Sequence, residues 1–432
     1  MPSTLEVVDK HGPCAQTDRK QPFTIPSLAQ ILVNDQLRVK SIQARAKPDS
    51  IDATRAKPDS IDANKSRDKK AKLPALSGVP LETGDYIVTM GLGTPKRRLS
   101  LVFDTGSDLT WTQCLPCTHC YNQTDPIFNP STSSTYSKIS CKSKQCNYTT
   151  GTSCYRDATC LYDIQYAGGS DSIGFLSRDK LTITPTDVFP DFLFGCARNS
   201  TGQFGKIDGL LGLNKGPISF LSQTATTYAQ YFSYCLPSGI SSTGFLAFGK
   251  NCKTSNKDDT VIFTPLVAAP PRIPPEFYFI EIIAITVGRN RLPIRESVFT
   301  MAPTIIDSGT VITRLPPAAY KALSKEFKSQ MKELNYTSAP TYEDFFDTCF
   351  HINSRTIKVP SVSFTFKGNA TVDLDPSGII VEVISKVMCL AFAGNRYSKD
   401  FAIFGNTQQK KLEVVYDVAG GNLGFRHNAI CQ

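Results

Sequence analysis

The chain has 432 residues but only four histidines, His11, His119, His351 and His427, and none of them forms a His-Glu-x-x-His pair. It also lacks a Gly-x-Ser-x-Gly elbow, so neither a zinc-peptidase nor a serine-hydrolase site has its parts. No apolar run reaches the eighteen or so residues of a membrane-spanning helix. Met1-Pro2-Ser3-Thr4-Leu5-Glu6 has no apolar core of a secretory signal. Charge of one sign is scarce in most of the chain. The net charge is +9, but residues 1–75 carry 14 Lys and Arg against 9 Asp and Glu, so more than half the excess lies in the first sixth. At 41% hydrophobic and 20% charged, the chain as a whole has the composition of an ordinary globular protein with ample core.

What is present is a repeated acid. Leu99-Ser100-Leu101-Val102-Phe103 reads as a buried strand and delivers Asp104 into the turn Thr105-Gly106-Ser107. About two hundred residues later Thr304-Ile305-Ile306 delivers Asp307 into Ser308-Gly309-Thr310. By average composition one Asp-[Thr/Ser]-Gly-[Ser/Thr] is expected about 0.03 times in such a chain. Two copies, each after an apolar strand, argue against simple Asx turns. Two carboxyls held side by side cannot both ionise; they share a proton and act as base and acid on a water and a carbonyl. The hydroxyls of Thr105, Ser107, Ser308 and Thr310 are placed to hold the pair by hydrogen bonds, and Gly106 and Gly309 to let backbone come close.

These turns, with Trp111-Thr112-Gln113-Cys114 after the first and Val311-Ile312-Thr313-Arg314-Leu315-Pro316-Pro317 after the second, resemble those of pepsin-type aspartic proteases. More narrowly, the chain is similar to the plant nepenthesin-like group, in the branch that contains the chloroplast nucleoid DNA-binding protein. The resemblance covers about residues 80–432. It implies a mostly β, bilobal fold with a few short helices, catalytic Asp104 and Asp307, and hydrolysis of polypeptides in acid without cofactor or metal. It also implies sensitivity to pepstatin-like inhibitors. Gly209-Leu210-Leu211-Gly212-Leu213 and Ile403-Phe404-Gly405 match the segments threaded behind the two catalytic loops. Tyr166, before Ala167-Gly168-Gly169-Ser170, matches the tyrosine of the hairpin flap, where relatives carry Gly-Asp in place of Ala167-Gly168. Non-catalytic binding or inhibitor proteins share this scaffold, typically with one acid motif lost; both are intact here.

The expected organisation is a basic, largely disordered leader over 1–75, an N-terminal lobe over 76–264 and a C-terminal lobe over 265–432. Within the leader, Arg45–Ala53 repeats as Arg55–Ala63, too short and polar to bury a core. Ser27 to Ala44, with Leu28, Ile31, Leu32, Asp35, Val39 and Ile42, has helical periodicity. By resemblance the leader is a propeptide that occupies the cleft until acid releases it. The Lys65–Lys72 cluster lacks interleaved aromatics, which disfavours nucleic-acid binding. Pro316 to Leu334 carries one apolar stripe, Tyr320, Leu323, Phe327, Met331 and Leu334, and reads as a helix on the second lobe.

Fourteen cysteines and six glycosylation sequons, at Asn64, Asn122, Asn147, Asn199, Asn335 and Asn369, favour an oxidising, secretory history, with the signal missing from this chain and the apoplast as destination; vacuole and chloroplast are the alternatives. Cys114-x2-Cys117-x2-Cys120 has metal-like spacing, but no second pair follows, so disulfides are expected. The resemblance implies Cys114–Cys117, Cys120–Cys196, Cys141–Cys160, Cys146–Cys154, Cys235–Cys431 and Cys349–Cys389, with Cys14 and Cys252 left over. The protein is expected to be a monomer.

Overall fold

The computed structural model describes residues 3–6, 27–45, 69–149, 151–156, 158–166, 170–250, 261–271, 273–343, 345–353, 356–427 and 431. Short strands rich in β-branched and aromatic residues, broken by Gly and Pro, assemble into one fifteen-stranded sheet, smaller sheets of five, four and four strands, and a two-stranded pair of Ser3–Glu6 with Thr356–Val359. The large sheet holds the N-terminal lobe and closes with the chain's last strands. Glu413–Asp417 pairs with Tyr231–Cys235, and Asn422–Arg426 pairs with Ile262–Pro265. The sheets of five, four and four strands build the C-terminal lobe. Its helix Pro317–Glu333 buries Tyr320, Leu323, Phe327 and Met331 as the stripe anticipates.

Two expectations are corrected. The boundary at 75/76 falls inside the strand Ala71–Ser77, which pairs with Thr243–Phe248, so the sheet of the N-terminal lobe already includes residue 71. The boundary at 264/265 likewise falls inside Ile262–Pro265, a strand of the shared sheet. Within the leader, Leu28–Arg45 forms an eighteen-residue helix where the periodicity of 27–44 anticipates one.

Four of the implied disulfides also differ. Cys114 bonds to Cys196 and Cys117 to Cys120; Cys141 bonds to Cys154 and Cys146 to Cys160. Strand pairing is the reason for the first: Trp111–Gln113 runs parallel to Gly195–Ala197, which brings Cys114 rather than Cys120 beside Cys196. Cys154 and Cys160 face each other across a hairpin, and each reaches a cysteine of the 141–146 loop. Cys235–Cys431 and Cys349–Cys389 are as implied. Cys14 and Cys252 lie outside the described residues.

The two acids sit in equivalent surroundings. Arg97–Asp104 runs parallel to Gly209–Gly212, which is antiparallel to Trp111–Gln113. In the other lobe Thr304–Ile306 runs parallel to Ala402–Phe404, which is antiparallel to Thr313–Leu315. Each acid therefore ends a strand whose following turn is stapled by a strand from far along the chain. That threading requires glycine where backbones meet: a Cβ on Gly209 would lie 1.9 Å from the Trp111 carbonyl oxygen. Gly209→Ala is expected to lower stability by about 1–3 kcal/mol, the usual cost of an overpacked interior, read as a lower urea midpoint at unchanged slope.

Candidate active site

The two acid turns meet across the lobes. The Thr105 amide donates to Ser308 Oγ at 3.1 Å, and the Ser308 amide donates to Thr105 Oγ1 at 2.9 Å. Ser308 Oγ then donates to the Phe103 carbonyl at 2.9 Å. These hydroxyls thus lock one loop to the other rather than grip the carboxylates. Thr310 does contact its acid, donating from Oγ1 to Asp307 Oδ2 at 2.6 Å. Ser107 lies beside Asp104 without a hydrogen bond of good geometry, yet it favours the ionised carboxyl. Gly106 and Gly309 donate backbone N–H to Asp104 Oδ1 and Asp307 Oδ1. A Cβ on Gly106 would come 2.8 Å from Asp307, and one on Gly309 2.6 Å from Asp104, so neither turn tolerates a side chain.

Both carboxyls are fully buried, and a single cation lies between them. Arg38, from the leader helix, donates from Nη2 to Asp104 Oδ1 at 2.6 Å and to Asp307 Oδ2 at 2.9 Å. Its Nη1 reaches Asp104 Oδ2 at 3.1 Å, and its Nε reaches Asp307 Oδ2 at 3.2 Å. The two acids respond differently. Burial pushes Asp104 up, but the Arg38 charge and its hydrogen bonds outweigh burial and leave the carboxyl below its ordinary value. Burial and then the neighbouring Asp104 keep Asp307 above its ordinary value despite Arg38. A third carboxyl near Arg38, Asp85, is pushed up to about 8 by burial and accepts from Thr83 Oγ1 and Asn406 Nδ2.

The leader helix lies in the cleft along one face. Leu32 packs with Ile312, Phe346 and Val383, while Val39 and Ile42 pack with Phe279, Phe401 and Ile403. Burying each such side chain contributes about 1.5–3 kcal/mol at most. Gln43 adds paired hydrogen bonds with the backbone of Phe401. Three residues before Arg38, Asp35 bonds Arg314 at 2.7 Å. The spacing 31, 35, 38, 42 puts apolar anchors and charged groups on a single helical face.

Tyr166 is half-buried on the cleft wall with Arg38 and Phe204, and its hydroxyl accepts from Trp111 Nε1 at 2.9 Å. Its amide closes the hairpin onto Ser170. Ala167, Gly168 and Gly169 lie outside the described residues. Among the described residues no cluster of His, Cys, Asp and Glu could hold a metal. No described helix is long and apolar enough to cross a membrane. Of the basic cluster, Lys69 pairs with Asp187 at 3.3 Å, and Lys72 lies 4.3 Å over the Phe245 ring.

Sequence reasoning brings together Asp104, Asp307, Thr105, Gly106, Ser107, Ser308, Gly309, Thr310 and Tyr166, and the structure places all nine around one cleft. It misses Arg38, Asp85 and the Asp35–Arg314 pair. The amphipathic period of 28–42 marks the helix, but nothing local distinguishes Arg38 among fourteen leader cations.

Two lobes, each with a threaded acid turn, define the pepsin-like fold. The chain matches the family models Xylanase inhibitor N-terminal over residues 86–250 and Xylanase inhibitor C-terminal over residues 277–427. It is 46% identical to an aspartyl protease family protein of Arabidopsis thaliana, over 99% of this chain and 87% of that relative. It is 35% identical to aspartic proteinase nepenthesin-2 of Nepenthes gracilis, over 84% of this chain and 82% of that relative. Conglutin gamma, a basic 7S globulin from lupine seeds, superposes with a TM-score of 0.66 at 22% identity, covering 83% of this chain and 95% of that one. The chain belongs to the plant pepsin-like aspartic protease family.

The cross-lobe lock has a measurable consequence. Ser308→Ala leaves the buried Thr105 amide without its acceptor, which typically costs about 1–3 kcal/mol. The melting temperature of the full chain is expected to fall, with Asp104 and Asp307 both retained.

Proposed function

We propose that this chain is the closed precursor of an aspartic endopeptidase that hydrolyses polypeptides in acid. The observation that carries the reading is the pair of buried carboxyls, Asp104 and Asp307, joined by one guanidinium from the chain's own leader. Arg38 sits where an attacking water would have to bridge the acids, so the leader helix and an extended substrate exclude each other. Once the helix leaves, the two acids regain a shared proton, one activating water and the other protonating the peptide carbonyl oxygen. Tyr166 closes over the bound peptide and helps exclude water. The disulfides fit passage through the secretory pathway.

Acid is the release signal on this reading, and Asp104 sets its sign. Its carboxyl is held low by Arg38, so the closed form keeps this stabilisation fully above the ordinary carboxylate value, near pH 4, and loses it as pH falls further. Arg38 also pulls Asp85 and Asp307 down against burial, so both take up protons more readily once it leaves, in the same direction as Asp104.

A second reading is a binding or inhibitor protein on the same scaffold, favoured by the names of the matching family models and by the globulin neighbours. Both acids and the cross-lobe lock are intact, which favours catalysis.

Cleavage of a peptide mixture by the full chain, followed from neutral pH into acid, separates the two. Cleavage is expected only in acid, and Asp104→Asn or pepstatin should abolish it; no cleavage at any pH would leave the binding protein. Arg38→Met is expected to move the onset of cleavage upward by about one pH unit, the scale of one lost charge contact. An unchanged onset would mean that Arg38 does not hold the cleft closed.

A further inference from the structure

The pair that anchors the leader one helical turn from Arg38 is a carboxylate-binding pocket belonging to the enzyme body. Asp35 Oδ1 accepts from the Val311 amide at 2.5 Å, and Oδ2 accepts from the Ile312 amide at 3.3 Å and from Arg314 Nη2 at 2.7 Å. Two backbone N–H groups and a guanidinium thus converge on one carboxylate. The Arg314 guanidinium lies 4.2 Å over the Phe345 ring, which fixes its plane. Strand Thr313–Leu315 holds the residue from below, paired with Phe392–Gly394 and with Ile403.

Every part of this pocket except Asp35 remains when the leader goes. Arg314 is only 2% exposed, and its Nε and Nη1 have no hydrogen-bond partner. Among the described residues Asp35 is its one salt-bridge partner. A buried cation left without a counter-charge is strongly unfavourable, and a planar guanidinium with free donors is suited to a carboxylate that can take two of them. The pocket adjoins Thr310, which holds Asp307, so whatever fills it lies beside the reacting bond.

We infer that Arg314, with the Val311 and Ile312 amides, recognises an acidic side chain of the polypeptide substrate, and that Asp35 occupies this subsite in the closed form. The inference rests on the protease reading and adds a specificity to it. Arg38 marks the reacting centre, and three residues of helix advance about 4.5 Å, little more than one residue of extended peptide. The favoured Asp or Glu therefore lies within about three residues of the cleaved bond. The pocket walls are an aromatic ring and backbone, so an amide isostere could use the N–H groups but would leave the charge unmet.

The test uses the full chain carrying Asp35→Asn and Arg38→Met, which removes both charged anchors of the leader, and matched peptides that differ only by Glu or Gln at each position around the cleaved bond, assayed near pH 5, where glutamate is mostly ionised. At one position Glu is expected to raise kcat/KM by roughly 10- to 100-fold over Gln, chiefly through KM, as a charged hydrogen bond commonly does. Arg314→Gln should bring that ratio close to one. Arg314→Lys, which keeps the charge and guards against simple unfolding, should retain part of it. Cleavage with equal Glu and Gln rates at every position would overturn the inference while leaving the protease reading intact. A Glu preference that survives Arg314→Gln would overturn it too. If no peptide is cut at any acid pH, the protease reading fails and this inference with it.

Discussion

Two carboxyl groups buried side by side are the constraint on which the structure turns. Left alone they would repel and stay neutral, so the fold must supply donors and counter-charge from every side. Gly106 and Gly309 give backbone N–H, Thr310 gives a hydroxyl, and Arg38 gives the charge. The cross-lobe exchange between Thr105 and Ser308 makes the arrangement a joint property of both lobes. Neither acid turn is complete without the other.

The leader helix meets the same constraint from outside. Its apolar side chains provide most of the burial, against clusters of the C-terminal lobe, and two of its charged residues, Asp35 and Arg38, set the register. Arg38 reaches the pair of acids, and Asp35 reaches the one buried guanidinium of the neighbouring wall. The helix thus presents a cation to the lobe junction's anions and an anion to its cation. Slipping by one residue would bury both charges against the wrong partners, so electrostatics selects the register that the apolar face alone would leave loose.

Residues 1–75 carry an excess of five positive charges, yet one residue, Arg38, meets the acids. Within the lysine cluster, Lys69 and Lys72 contact the N-terminal lobe through Asp187 and Phe245, not the acids. Net charge is a long-range and screened quantity; two buried carboxyls respond to the single cation that touches them.

The local sequence by itself determined the acid pair, the glycines that let strands pass behind it, the β texture and both long helices. Each of these is written in a period or a short turn signal within a dozen residues. Only the tertiary structure decided which cation neutralises the pair, since Arg38 is 66 residues from Asp104 and 269 from Asp307. It also decided the pairing of eight cysteines, because strand register, invisible in spacing, sets which sulfurs meet. The lobe limits followed the same rule. Ala71–Ser77 and Ile262–Pro265 look like the ends of segments until the sheet claims them, for a strand belongs to whatever edge supplies its hydrogen bonds.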